Sequence, residues 1–275
     1  MPQGAIPQRA IALPRPPAVE WQVPTFLRGI DPTLPLTALL VLALFVAGVG
    51  AALHRGSGSS PTVAADQGAP TAAATPAPIA IDPAADTRLA QSLVLTQLDY
   101  PDGWTLTPHE SSPSDAHDNQ LSAACLGVPD PATVATADVS GMDAHDADFM
   151  QAFSEVVVFR TPQLADADLA AEGGPKADVC AKQGLTRALA EQGITVTDVG
   201  VGRFALSTGN VRSVALHTEI AVAKGASRAG LHADVVFLQQ GRVEGQAVFM
   251  SFGGQFPADT EQTMVTRFAH KVASA

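Results

Sequence analysis

From Leu36 to Leu53 the chain runs LTALLVLALFVAGVGAAL, eighteen residues without a charge. As a helix rising ~1.5 Å per residue this stretch reaches roughly 27 Å, close to the ~30 Å of a bilayer's hydrocarbon core. It predicts a transmembrane helix over 36–54 and divides the protein into a short part before it and a long part after it.

Charge orients the span. Arg9, Arg15 and Arg28 precede it and Arg55 alone follows directly, and the more positive flank stays in the cytoplasm. The expected arrangement is a single-pass protein of the cell membrane with its N-terminus inside and its C-terminal domain extracytoplasmic. A cleaved signal peptide is the rival reading, because small residues at 48–52 suit a signal peptidase. The leader of ~35 residues favours an uncleaved anchor. No cysteine stands directly behind the apolar run, which excludes a lipoprotein anchor.

Residues 1–35 hold eight prolines and no periodic apolar face, the pattern of a disordered cytoplasmic tail. Pro14 to Pro17 could dock an aromatic groove as a polyproline helix, although a solvated tail is the favoured reading, since proline-rich tails outnumber such ligands. Trp21, Phe26 and Leu27 suit the headgroup level. From Gly56 to Ala85, 24 of 30 residues are Ala, Pro, Ser, Thr or Gly. Such a segment cannot bury a core, so 55–82 is predicted as a flexible linker with a reach of about 30 Å. A globular domain over 83–275 remains.

That domain is acidic. Past Arg55, 25 acidic residues face 12 basic ones, a balance that repels phosphate backbones and anionic headgroups and argues against a nucleic-acid partner. Its two cysteines, Cys125 and Cys180, are one disulfide if the domain is exported and two buried thiols if it is not. The export argued from the span favours the disulfide. The spacing is not Cys-x-x-Cys, so the pair reads as structural rather than redox-active.

Periodicity places the elements. Asp82-Pro83 is a cap with a first-turn proline before an amphipathic helix over 84–98. The turn Asp99-Tyr100-Pro101-Asp102-Gly103 leads to a short strand at Trp104–Thr107. Residues 108–148 read as a polar loop around one helical piece, Leu121 to Leu126. A β-branched strand follows at 153–161, then two helical pieces within 163–191 separated by Gly173-Gly174-Pro175, the second carrying Cys180. Four alternating runs, 194–206, 211–223, 228–239 and 242–252, form an antiparallel meander, and Pro257 opens a terminal helix. The expected fold class is α+β: an antiparallel sheet of about five or six strands with helices packed on one face, plus the transmembrane helix.

The leucine-rich helix joined to LTQLDYPDGWTLTP, one cysteine, the strand SEVVVFRT and a helix carrying a second cysteine together resemble the exported sensor-type domains of actinobacteria. These are the extracellular sensors of PknH-type receptor kinases and the LpqN-type lipoproteins, which share a PsbP-like α/β fold. The resemblance covers roughly residues 86–275. It implies a non-enzymatic sensor-like domain of the cell envelope. The cytoplasmic part is too short for a kinase, so signalling would need an intracellular partner.

Candidate chemistry is sparse. There is no Gly-x-Ser-x-Gly, no His-Glu-x-x-His, no phosphate-binding glycine loop and no kinase catalytic set, and no motif calls for a cofactor. His109, His117 and His145 lie among aspartates, and His145 with Asp146 are weak metal candidates, but their spacing matches no EF-hand or zinc motif. In the meander, period two puts His217 and Glu219 on one face of their strand and His232 and Asp234 on the matching face of the next. A tight turn at 224–227 would set His217 beside Asp234 and Glu219 beside His232. Glu244 and Gln246 on the adjoining strand extend the cluster, and Val236, Leu238, Val248, Met250 and Phe252 are expected to border it as an apolar strip. Such pairs stabilise any wet sheet face. A polar cluster beside an apolar strip also builds a ligand pocket, so His217, Glu219, His232, Asp234, Glu244, Gln246 and Met250 are the ligand-binding candidates.

Three functions fit. The first is a membrane-anchored, non-enzymatic domain that binds a small molecule, an envelope lipid or a protein partner. The second is a metal-dependent hydrolase that uses His and Asp residues of the loop or sheet face. The third is a structural accessory protein of the envelope.

Overall fold

The computed structural model describes residues 81–109, 113–147, 150–191, 193–224 and 227–275. The expected tail and span, and the linker up to residue 80, lie outside them. Among the described residues no helix is long and apolar enough to cross a membrane.

Helix α1 (Pro83–Leu93) starts where Asp82 accepts the N–H groups of Ala84 and Ala85 and Pro83 fills the first turn, the arrangement that satisfies otherwise unpaired helix donors. It is shorter than expected. Ser92-Leu93-Val94 leads into an extended segment and a single 3-10 turn at Gln97–Asp99, because Asp99 accepts from both Thr96 N–H and Thr96 Oγ1 and so diverts the chain from the helix. Strand β1 (Thr105–Thr107) follows, then α2 (Pro113–Leu126), a short α3 (Pro131–Val134), β2 (Ala135–Ser140), β3 (Asp143–His145) and β4 (Gln151–Phe159). Helices α4 (Pro162–Glu172) and α5 (Ala177–Glu191) precede the meander β5 (Thr195–Arg203), β6 (Arg212–Lys224), β7 (Ser227–Gln240) and β8 (Val243–Phe252), and α6 (Ala258–Ala273) closes the chain.

Among the described residues eight strands join one antiparallel sheet in the order β1-β3-β4-β8-β7-β6-β5, with β2 also paired to β4. The sheet exceeds the expected five or six strands because β2 and β3 arise within 108–148, read from sequence as a loop.

Helices cover both faces rather than one. On the first face Ala90 and Leu93 of α1 and Met264, Val265, Phe268 and Val272 of α6 pack on Val236, Leu238, Ala247 and Phe249. On the second, Leu126 of α2, Leu169 of α4 and Leu185 and Leu189 of α5 pack on Leu216, Val235, Phe237 and Val248. The central strands are therefore apolar on both sides, and β8 is buried along its whole length except at Phe252, the signature of a sheet sandwiched between helix layers. The disulfide Cys125–Cys180 joins α2 to α5 with Cα atoms 5.7 Å apart.

Candidate functional site

The first face is covered unevenly. Helices α1 and α6 lie chiefly over β2, β4, β8 and β7, so that among the described residues no helix packs extensively on this face at its β5–β6 end. The register across the 224–227 turn pairs His217 with Asp234 and Glu219 with His232, so the four side chains project together onto that open region.

The geometry there is specific. His217 Nδ1 hydrogen-bonds Asp234, which is buried. His217 Nε2 faces Glu219 Oε1 at 3.3 Å, and His232 Nδ1 lies 3.8 Å from the same oxygen. The two imidazole rings are roughly parallel, centroids 6.0 Å apart. His232 is 8% exposed, and its Nδ1 has no hydrogen-bond partner among the described residues. Glu219 is the exposed member. Its β5 neighbours are Gly200, opposite Glu219, and Gly202, opposite His217. A Cβ at Gly202 would meet nothing within 4 Å, so the approach from the sheet edge is open.

The titration of the two histidines diverges. The hydrogen bond to Asp234 raises the pKa of His217 above the usual imidazole value, against a smaller opposing effect of burial. Burial lowers that of His232 and favours its neutral form.

Glu244, Gln246 and Met250 do not join this cluster. Glu244 pairs with Gln239, Gln246 with Phe237 and Met250 with Ala233, which places all three on the second face. Val248 and Phe252 go with them, whereas Val236 and Leu238 belong to the first face. The expected apolar strip is thus divided between the two sides of the sheet. The physical reason is the two-residue turn Gly241-Arg242, which pairs Gln240 with Val243 and fixes the phase of β8 one residue from that expected.

His145 ends β3, and Asp146 Oδ1 accepts the N–H of Met150 at 2.9 Å to close the β3–β4 turn. His109 Nδ1 lies 2.9 Å from Asp143 Oδ1 and its ring stacks on Phe153 at 6.0 Å. Among the described residues the group of His, Cys, Asp or Glu side chains arranged to hold one ion is His217, Glu219 and His232.

The second face carries a small cleft of about 40 Å³ between α2, α5 and the sheet. Leu126, Leu185, Leu216, Val235 and Phe237 form its apolar walls and Gly184 leaves room at its side. Arg187 and Asp118 line it as a pair, Nη2 to Oδ1 at 2.8 Å. The Nε of Arg187 is buried and has no hydrogen-bond partner among the described residues. Sequence reasoning missed this pair, because Asp118 read as part of a solvated acidic loop before the helical piece at Leu121 and Arg187 as a polar position on a helix's solvent face. The glycine at position 184, inside a helical pattern, was the one available signal.

Beside the cleft, Asp168 and Glu172 of α4 face Glu244 of β8. Burial raises all three carboxyls, Asp168 to about 6, and both Glu172 and Glu244 well above the usual range. Asp168 and Glu244 are hydrogen-bonded to each other, the Asp168 charge adds to the upward shift of Glu172, and Arg212 is a nearby cation that opposes the shift of Glu244.

No known protein family matches this sequence, and no curated protein does. Among solved structures the chain is similar to the extracellular domain of PknH from Mycobacterium tuberculosis, at 13% identity and a TM-score of 0.41, over 72% of this chain and 98% of that one.

Proposed function

We propose that the chain displays a non-enzymatic binding domain outside the membrane, anchored through residues 36–53, and that the second-face cleft takes a small, largely apolar molecule such as an envelope lipid fragment. The observation that carries this reading is the cleft itself: apolar walls with the buried Nε of the half-exposed Arg187 beside them, unpartnered among the described residues. An apolar enclosure with one or two convergent polar groups is how ligand sites are built. The buried N–H asks for an acceptor, which a carboxylate or carbonyl at one end of the ligand supplies. The Cys125–Cys180 bond supports the extracytoplasmic placement, since such bonds persist in oxidising compartments.

The test is to purify the full chain from its native membrane, extract it with organic solvent and identify what is released by mass spectrometry. The expected result is a stoichiometric apolar molecule with an acidic or carbonyl group, lost in Gly184→Trp, whose indole projects into the open side of the cleft. A protein that releases nothing and that binds a fluorescent fatty acid no better than Gly184→Trp overturns the reading.

A further inference from the structure

We infer that His217, Glu219 and His232 form a divalent transition-metal site of the zinc type on the open first face of the sheet, with Asp234 orienting His217 from behind. The inference is independent of the cleft, which lies on the opposite face.

Four observations converge. The three side chains each present a ligand atom, and these lie within 4.8 Å of one another. Two of the separations, 3.3 Å and 3.8 Å to Glu219 Oε1, approach the roughly 3.3 Å that bonds of ~2.0–2.1 Å impose between ligands of a tetrahedral ion. The site is prebuilt, because residues 217 and 219 share a face of β6 while residue 232 is locked opposite 219 by the ladder. Glu219, the exposed member, is the one with most freedom to adjust.

His217 Nδ1 is engaged by the carboxylate of Asp234. With a metal in place of the Nε2 proton, that bond holds the Nδ1–H tautomer and leaves the Nε2 lone pair for the ion, the carboxylate–histidine arrangement that supports metal-bound imidazoles.

His232 Nδ1 is buried without a hydrogen-bond partner although its ring stands at the cluster. Cross-strand pairing alone would not strand a ring nitrogen in this way, since a buried polar atom without a partner costs stability. A metal satisfies it.

Gly200 and Gly202 on β5 place no side chain over the cluster. Three protein ligands with an unobstructed side leave a coordination position open to water or to an anionic ligand, as in two-histidine, one-carboxylate sites. The nitrogen-rich set favours Zn²⁺ over Ca²⁺ or Mg²⁺, which take oxygen ligands.

The test uses the full chain without a histidine affinity tag, stripped with chelator and dialysed against Zn²⁺ alone, with bound metal counted by elemental analysis. Co²⁺ in place of Zn²⁺ reports the ligand geometry through its visible absorption. The expected result is one equivalent of Zn²⁺ and an intense tetrahedral Co²⁺ spectrum. Affinity should fall at least 100-fold in His217→Ala and His232→Ala, and roughly 10-fold in Asp234→Asn, the scale of losing the carboxylate that holds a ligating imidazole. Glu219→Gln is exposed and leaves the fold intact, so weaker binding in that variant cannot be charged to unfolding. His270→Ala should bind as wild type does. The inference is overturned if the wild type takes up no Zn²⁺, or if Glu219→Gln and His217→Ala/His232→Ala retain it unchanged.

Discussion

Arg242 grips Asp86 with both terminal nitrogens, Nη2 to Oδ1 at 2.8 Å and Nη1 to Oδ2 at 3.3 Å, and so ties the β7–β8 turn to α1. Thr136 Oγ1 donates to the same carboxylate at 2.6 Å, and Arg242 Nη1 also donates to Phe159 O at 3.0 Å. Burial alone would raise the pKa of Asp86, but the bonds from Arg242 and Thr136 outweigh it and hold the carboxyl below its ordinary value. Removing the guanidinium strands a charge that is 5% exposed. Arg242→Met is expected to cost about 3–5 kcal/mol, the range for breaking one side of a buried pair. Urea denaturation checks it, and Asp86→Leu/Arg242→Met should recover part of the loss. A single-variant loss under about 1 kcal/mol would mean that water reaches the pair.

The carboxyls of Asp168, Glu172 and Glu244 set the direction of the pH response. Their folded-state pKa values lie above those of the unfolded chain, near 4, so folding retains protons that the unfolded state releases. Stability is fully present below about pH 4 from these groups, and is lost as the pH rises through about 6 for Asp168 and beyond for the two glutamates. The melting temperature is expected to be lower at pH 8 than at pH 5. Asp86 and Asp99, shifted downward, respond below this window. His217 and His232, shifted in opposite directions, oppose each other within it. Glu172→Gln isolates the carboxylate contribution: it should raise the melting temperature at pH 8 more than at pH 5. Equal melting temperatures at both pH values in wild type and variant would contradict the assignment.

The Cys125–Cys180 bond closes a 55-residue separation and fastens α2 over the cleft wall formed by α5. By loop-closure entropy it stabilises the fold by about 4 kcal/mol. Cys125→Ser/Cys180→Ser is expected to unfold at correspondingly lower urea and to lose cleft binding before it loses the sheet, since α2 is the element released. Peptide mapping without reduction checks the bond directly. Free thiols at both positions in exported protein would remove it.

The meander was legible because β5, β6 and β7 alternate and short turns separate them. The turn at 224–227 was enough to place His217 against Asp234 and Glu219 against His232, both of which the ladder shows. Legibility ended at β8. From Val243 to Ser251 every residue is buried, because α6 covers one side and α4 the other, so alternation carries no phase. Glu244 and Gln246 then imitate a wet face while lying under helices. Strands β2 and β3 were hidden for a different reason. ATADVS and DAH are short and poor in β-branched residues, and their strand state is imposed by pairing with β4 rather than by local preference.

Two glycines make opposite predictions from the same substitution. A Cβ at Gly245 would stand 2.6 Å from Phe268 Cζ and 3.0 Å from Val272 Cγ2, inside the closest packing of α6 on the sheet. Phe268 is fully buried and has nowhere to retreat. Gly245→Ala should therefore destabilise by about 1–3 kcal/mol through overpacking, and Gly245→Ala/Phe268→Leu should restore part of it. At Gly184, in the interior of α5, a Cβ meets nothing within 4 Å. There Gly184→Ala should stabilise by about 0.5–1 kcal/mol, because alanine loses less backbone entropy in a helix. Denaturation midpoints of the two variants, measured side by side, decide both. A helix glycine whose replacement gains stability has been kept at that cost for some other reason, and the space it leaves at the cleft is that reason if Gly184→Trp also abolishes ligand binding.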